Sequence, residues 1–390
     1  MPIQNLLSDD PDARPPAVMS DLETDPFYIE GNGAAIKGDS KELLADLPDE
    51  SVDLVVTSPP FALTRKKEYG NKDSKEFAEW FLKFSDRVYD VLKPSGSFVI
   101  DIGGSWQKGE PVRSLYHFEL LLKLAGEHGQ FNLAQEFYWY NPAKLPTPAQ
   151  WVTIERIRVK DAVNHVWWLS KSSRPQADNR RVLKEYSDAQ KKLMEVGYEG
   201  KKRPSGHEIS DTFDDPEEAD GAIRPNLWNE LSSSDYVPNA VELLHAADVP
   251  QQLIDVAIEN EVLDELVESV LGEYVSDNVL EVANTASNTH YLKACKALDL
   301  DPHPARFPRQ LPEFFIKFLT EPGDLVMDIF AGSNTTGQVA ENLDRKWLAF
   351  ETQEAYLATS QLRFKDWELI EDIANRNEEI SVAEVEPAAD

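Results

Sequence analysis

A single cysteine, Cys295, in 390 residues leaves the chain without an internal disulfide and without a Cys-x-x-Cys metal site. Long apolar runs are also missing: nothing approaches the roughly 18 consecutive apolar residues a membrane span requires, and the first residues do not resemble a secretory leader. A cytoplasmic protein with no membrane contact and no metal is therefore expected. What is present, 41% hydrophobic and 10% aromatic residues, suffices for one large folded domain with insertions.

Basic residues are scarce too, 39 Lys and Arg against 70 Asp and Glu, for a net charge of −31. Taken whole, that balance argues against nucleic acid, because proteins that bind it carry a basic excess to displace counterions from phosphates. The distribution reverses the argument. Residues 1–30, 211–281 and 365–390 hold net charges of −6, −18 and −7, which together account for the whole excess and leave a neutral body. Acidity concentrated in this way also suits a chain that stays soluble in concentrated salt.

Residues 1–26 contain Asp-Pro, Pro-Pro and scattered acids without apolar periodicity and read as a disordered acidic arm. From Phe27 an α/β pattern begins, with strands expected over 34–37, 52–57, 97–102, 133–140 and 162–169. Helices are expected over 75–92 and 112–128. This rhythm predicts a doubly wound α/β fold with a buried parallel sheet, residues 27–170 forming its first half. Over 171–300 the rhythm fails, and an acidic helical insertion is expected at about 238–274. It resumes over 301–370 with a helix at 311–319, a strand at 325–330, a helix from Thr335, a strand at 347–350 and a last helix from Gln353. Residues 371–390 read as an acidic tail.

The most informative segment is VDLVVTSPPF, Val52–Phe61. An apolar strand ends in two prolines, which stop it and push Ser58 and Phe61 out at the carboxyl edge of the sheet, where open α/β sheets bind ligands. These residue types suit methyl transfer to an exocyclic amine of a nucleobase. The Ser58 hydroxyl and the Pro59 carbonyl accept hydrogen bonds from the amine, Pro60 fixes the turn, and Phe61 stacks on an extruded base. A second segment, LVMDIFAGSNTTG over 325–337, is a strand followed by a small-residue turn that opens a helix, with Glu351 ending the next strand. Such a turn brings backbone amides to a ligand, Gly332 permits close approach, and a carboxylate one strand on suits a ribose diol.

TSPPF resembles the catalytic motif of DNA amino-methyltransferases, in which serine at the first position is typical of cytosine-N4 enzymes. The 325–337 segment resembles the S-adenosylmethionine motif of the same family, with Asn334 where many members have glycine. Catalytic strand first and cofactor strand last is the circularly permuted order of the beta group. The strings RKKEYGN, FYWYNPAKLP, RIRVKDAVNHVWWLSK, RPSGHEIS and HPARFP resemble restriction-modification cytosine-N4 methylases of the PvuII type. The resemblance implies a permuted Rossmann-like methyltransferase fold with a DNA-recognition insert, S-adenosylmethionine as cofactor, and Asp328, Phe330, Gly332, Ser333 and Asn334 at the methionine end of the cofactor, with Asp39 near its adenine. It also implies a monomer acting on a short palindrome in double-stranded DNA, CAGCTG or CTAG for instance, with a cognate restriction endonuclease as a companion that it need not touch. Carbon-5 methylation is excluded, since Cys295 follows Ala294 in a helical run rather than standing as an exposed nucleophile. Adenine-N6 methylation on the same scaffold is the alternative, and a DNA-binding regulator that retains the fold without turnover is the reading from another class.

For DNA contacts, Arg65, Lys66 and Lys67 follow the catalytic motif and suit phosphate binding. The stretch 171–209 carries ten bases and six acids, among them Arg180, Arg181, Lys201, Lys202 and Arg203. It is the expected target-recognition region, because arginine can contact guanine bidentately.

Overall fold

All six positions of Val52–Thr57 are buried, as in a strand covered on both faces. The computed structural model of the chain describes residues 10–62, 72–141, 144–184, 186, 191–192, 221–228, 290–305 and 308–385. The strands are β1 (Tyr28–Glu30), β2 (Gly33–Lys37), β3 (Val52–Thr57), β4 (Leu92–Gly103), β5 (Asn132–Tyr140), β6 (Val163–Ser170), β7 (Leu227–Trp228), β8 (Leu325–Asp328) and β9 (Lys346–Glu351). They form one sheet in the order β1-β2-β9-β8-β3-β4-β6-β5-β7. The centre, β2-β9-β8-β3-β4, is parallel, whereas β1 joins β2, and β6 joins β4 and β5, antiparallel. The sheet is thus mixed rather than parallel throughout. Among the described residues the connection from β5 to β6 holds only a short helical turn, Gln150–Ile154, and the two strands pair directly.

The helices are α1 (Ser40–Asp46), α2 (Phe77–Val91), α3 (Tyr116–Ala125), α4 (His290–Ala297), α5 (Gln310–Leu319), α6 (Thr335–Asn342), α7 (Glu354–Ser360) and α8 (Trp367–Val385). Alternation along each strand sends side chains to two faces. On one, Val55, Phe98 and Ile100 meet Leu44, Phe81, Val88 and Leu120 of α1, α2 and α3. On the other, Leu54, Val56, Val99 and Trp168 meet Phe315 and Ile316 of α5 and Val339 of α6. At the amino edge the buried carboxylate of Asp53 accepts from Lys93 Nζ at 2.8 Å and from the Leu325 amide at 2.9 Å, joining β3, β4 and β8. Among the described residues no helix is long and apolar enough to cross a membrane.

Two expectations at the chain ends are corrected. From residue 10 the acidic arm is laid on the body: the Arg14 amide donates to the Gly31 carbonyl at 2.6 Å, and Val18, Met19 and Leu22, around the short helical turn Ala17–Asp21, pack on the core. Three apolar residues within five positions anchor it, too short a pattern to register as periodicity. The tail is helical to Val385 as part of α8, whose Ile370 and Ile373 pack with Tyr291, Ala294 and Cys295 of α4. The acidic helical insertion at 238–274 lies outside the described residues. Within the stretch where the α/β rhythm fails, Leu227 and Trp228 add to the sheet's edge beside Tyr138 and Trp139.

Candidate active site

Because β3, β4, β8 and β9 run parallel, their carboxyl ends open on one edge, and the start of β6 and end of β5 reach the same edge. A cavity of about 980 Å³ lies there. Ser58, directly after β3, donates its hydroxyl hydrogen to Asp101 Oδ2 on neighbouring β4 at 3.0 Å. Asp101 is 2% exposed and also accepts from Asn164 Nδ2 on β6 at 3.2 Å; Asn164 Oδ1 in turn accepts from Lys144 Nζ at 3.2 Å. Burial pushes the Asp101 carboxyl up to about 6, against the pull of its Ser58 and Asn164 hydrogen bonds and the Lys144 charge. Burial likewise lowers the Lys144 ammonium. A serine whose hydrogen is committed to a carboxylate keeps both lone pairs to accept with. Pro59, Pro60 and Phe61 line the same cavity, and the Phe61 ring lies so close to Gly103 that a Cβ there would meet it at 2.6 Å.

The second wall is the turn after β8. Gly332 has φ +51°, and its Cα packs against the His303 ring, which a Cβ would meet at 3.0 Å, so the turn needs glycine here. The Gly332 amide donates to Glu351 Oε2 at 2.9 Å, while Glu351 Oε1 accepts from the Gln353 amide at 2.8 Å. Asp328 is buried behind this turn. Its Oδ1 accepts from Thr57 Oγ1 at 2.7 Å and the Phe330 amide at 3.0 Å, and its Oδ2 from Thr336 Oγ1 at 2.7 Å. Burial raises its carboxyl to about 6. Asn334 takes the left-handed conformation that glycine usually supplies (φ 53°) and caps α6 by accepting from the Gly337 amide at 3.0 Å. Its Nδ2 donates to the Tyr28 hydroxyl at 2.9 Å. Asn334→Ala is accordingly expected to lower unfolding free energy by about 3 kcal/mol, roughly 1 each from the strained backbone, the cap and the Tyr28 bond. Asn334→Gly should recover only the backbone share, as denaturant titration of both variants would reveal.

Asp39, Ser58, Pro59, Pro60, Phe61, Phe330, Gly332, Ser333 and Glu351 all line the one cavity, although they come from opposite ends of the sequence. Asp328 and Asn334 do not: their polar atoms are spent holding the turn, so the structure corrects their expected contact with a cofactor to a supporting position. Arg180 and Arg181, expected to contact DNA, do not line the cavity either. They sit in a helical turn, Asn179–Val182, where Arg180 pairs with Asp178 at 2.7 Å and Arg181 with Glu321 and the Thr320 carbonyl. Thr320 precedes β8, which puts both arginines at the amino edge of the sheet, away from the cavity. Arg65, Lys66, Lys67, Lys201, Lys202 and Arg203 lie outside the described residues. Cys295 is buried between α4 and α8 and does not line the cavity.

Sequence reasoning passed over Asp101, Asn164 and Lys144. The signal was available in SFVIDIGG, where an acid interrupts a buried strand two places before its Gly-Gly end. The cavity also suits S-adenosylmethionine. Aromatic and apolar side chains (Trp80, Phe84, Phe330, Phe350) offer a slot for an adenine, Glu351 and Asp39 bring carboxylates for hydroxyl and amino groups, and the turn at Gly332 and Ser333 brings backbone to the same wall without a bulky side chain.

Comparison with known proteins agrees with this geometry. The model of the DNA methylase family N6_N4_Mtase matches residues 52–362. The chain is 46% identical over 358 residues to the type II methyltransferase M.PvuII of Proteus hauseri, covering 90% of each chain. It is 25% identical to the type II methyltransferase M.SfiI of Streptomyces fimbriatus over 82% of this chain and 88% of that one. Among solved structures it resembles the PvuII DNA methyltransferase, described as cytosine-N4-specific, with a TM-score of 0.62 and 41% identity over 91% of this chain and 95% of the other. The fold is the Rossmann-like methyltransferase fold, and the chain belongs to the N6/N4 family of DNA methylases.

Proposed function

We propose that the protein is a site-specific methyltransferase that takes a methyl group from S-adenosylmethionine and places it on N4 of a cytosine flipped out of duplex DNA. The observation that carries this reading is the Ser58–Asp101 bond at the mouth of β3: it presents a hydroxyl as an acceptor in the same cavity as the glycine turn at Gly332. At about 980 Å³ that cavity is at the top of the roughly 300–1,000 Å³ range of single-ligand sites, as a place for both a cofactor and a base should be. The 41% identity to a structure described as cytosine-N4-specific supports cytosine over adenine.

When bound, S-adenosylmethionine supplies an electrophilic methyl group on a sulfonium. The chain's part is to bind, orient and exclude water. Glu351 and Asp39 hold the nucleoside hydroxyls and amine, and the backbone at Gly332 and Ser333 meets the amino-acid end. Phe330 walls the site, and Phe61 stacks on the base. Ser58 Oγ and the Pro59 carbonyl accept the two amine hydrogens, which turns the nitrogen lone pair toward the incoming carbon. As the N–C bond forms and the sulfonium's S–C bond breaks, those oxygens would stabilise the positive charge on the nitrogen, which then sheds one hydrogen as a proton to the Asp101 carboxylate by way of Ser58 or to water. Arg65, Lys66 and Lys67, close after Phe61 in sequence, are proposed to hold the backbone around the flipped nucleotide, and Lys201, Lys202 and Arg203 to contact the target site. The site is proposed to be a short palindrome, read by a monomer, with a restriction endonuclease as the companion activity.

Expression in a host that does not methylate its DNA, followed by single-molecule sequencing and nucleoside analysis, tests the proposal. N4-methylcytosine in one short context is the expected product, and N6-methyladenine alone would refute it. Glu351→Ala should weaken S-adenosylmethionine by roughly 1.5–3 kcal/mol, about 10- to 150-fold in dissociation constant, since a charge-assisted partner is lost and the Gly332 amide is released. Isothermal calorimetry is the readout, and unchanged affinity would remove Glu351 from the cofactor site.

A further inference from the structure

The connection from β5 to β6 borders the mouth of the cavity, which Lys144, Pro148, Trp151 and Asp161 line from this one segment. Between them it stands in solvent. Residues 153–160 are exposed without a break, and the two most exposed large apolar side chains among the described residues belong to this connection, Val159 at 86% and Leu145 at 72%. The segment is fastened in place. The Ile157 and Arg158 amides donate to the Trp151 carbonyl at 2.9 and 3.3 Å, and the Arg158 guanidinium donates to the Pro111 carbonyl at 2.8 Å. The Trp151 ring meets that of Trp106 at 5.4 Å, and Asp161 pairs with Arg113. Arg156 is held at φ +57°, uncommon outside glycine. Apolar side chains fixed in water this way, Leu145 one residue and Val159 two residues from the cavity lining, mark a surface built for a partner.

The intervening residues give the partner's charge. Ile154 to Lys160 reads IERIRVK, in which apolar side chains are interleaved with three bases against one acid, in a chain whose net charge is −31. The carbonyl that anchors Arg158 leaves its positive charge in force. A DNA methylase receives its substrate at this mouth. Cations on phosphates fix a protein on a duplex, and apolar side chains enter the stack of DNA that is kinked or opened. Resting on the reading of the site as a pocket for a base flipped out of duplex DNA, we propose that residues 144–160 form a wedge that enters the duplex at the target cytosine. Arg156 and Lys160 meet phosphates, and Val159 and Leu145 occupy the space the base vacates, which keeps it from returning to the stack.

Two double variants test the two halves of the wedge, Arg156→Ala with Lys160→Ala and Val159→Ala with Leu145→Ala. All four side chains are exposed, so the fold does not depend on them. The substrates are duplexes carrying the target site found by sequencing, one matched and one mismatched opposite the target cytosine, whose extrusion is cheaper. Loss of the two cations should flatten the slope of log affinity against log salt by about 0.9 for each phosphate contact removed. Loss of the apolar tips should leave that slope unchanged and slow single-turnover methylation of the matched duplex on the order of tenfold, with most of the rate regained on the mismatched one. S-adenosylmethionine affinity by calorimetry should be unaltered in both. An unchanged salt slope in the cation variant, or an apolar variant slowed equally on both duplexes or on neither, overturns the inference and leaves the cytosine-N4 reading standing. So does a dimer of the free protein that the apolar variant dissolves, since a second copy would then be the occupant. Wild-type activity confined to single-stranded DNA overturns both.

Discussion

Ser58→Ala is expected to slow methyl transfer in a single turnover by about 10- to 1,000-fold while leaving the dissociation constant of S-adenosylmethionine nearly unchanged. The reason is local. The one hydrogen bond of Ser58 Oγ among the described residues, to Asp101 at 3.0 Å, lies away from the turn after β8 and leaves its lone pairs to the cavity. Removing it deprives the amine of an oriented acceptor at the moment its nitrogen takes on charge, and leaves the Asp101 carboxylate without one of its two side-chain donors. Ser58→Thr keeps the hydroxyl and should recover part of the rate. Full activity in Ser58→Ala would end the assignment of the reacting amine to this strand end.

The second large effect is expected with pH. Burial raises the Asp101 carboxyl to about 6 from an ordinary aspartate value of 3.8, so at neutral pH it is ionised and Ser58 must donate to it. As pH falls through about 6, Asp101 takes up a proton and becomes a donor toward Ser58, whose own hydrogen is then freed to face the amine. Donor meets donor, and the methylation rate should drop tenfold per pH unit below that point. Asp101 acts through Ser58 and is a positioning residue. Asp101→Asn presents one acceptor oxygen to two donors, Ser58 and Asn164, so its rate should be low at every pH and the acidic limb absent. Should the limb persist in Asp101→Asn, it belongs to another group, Asp328 being next in order since it is also held at about 6. Stability should move the other way. A raised carboxyl pKa means the folded state resists ionisation, so the stability present below about pH 4 is lost as pH rises through about 6. The full loss at neutral pH is on the order of 3 kcal/mol. Asp101→Asn is thus expected to be slower and, at pH 7, harder to unfold.

The site was legible in the sequence where its residues lie together. Ser58 to Phe61 and Phe330 to Ser333 are continuous, and each follows an apolar strand whose end fixes where they point. Asp101, Asn164 and Lys144 reach the same cavity from three separate segments, and only strand order, β4 beside β6, brings them together. Asp328 and Asn334 show the converse. A polar residue inside a binding motif looks like a ligand contact, yet both are fully engaged in making the turn. Composition carries no information about which edge of a sheet a loop joins, so the run of bases at 171–209 did not say that Arg180 and Arg181 stand at the amino edge, paired with Asp178 and Glu321. The acidic arm was misread for a different reason: Val18, Met19 and Leu22 dock as a single turn, below the length at which periodicity can be recognised.

The strand order has a consequence for how the protein is made. The strands β8 and β9, from the last quarter of the chain, insert between β2 and β3, from its first sixth, and of the pairings at the centre of the sheet all but β3 with β4 wait for them. A ribosome that has finished β3 must add all the residues from Ser58 to Asp324 before Leu54 can meet Val326. At roughly 5–20 residues per second that is a delay on the order of tens of seconds. Throughout it the emerging catalytic half exposes two apolar strand edges with no partner, the condition under which chains associate wrongly. The same delay keeps an unfinished chain from acting on DNA, since the wall that would bind the methyl donor is synthesised last.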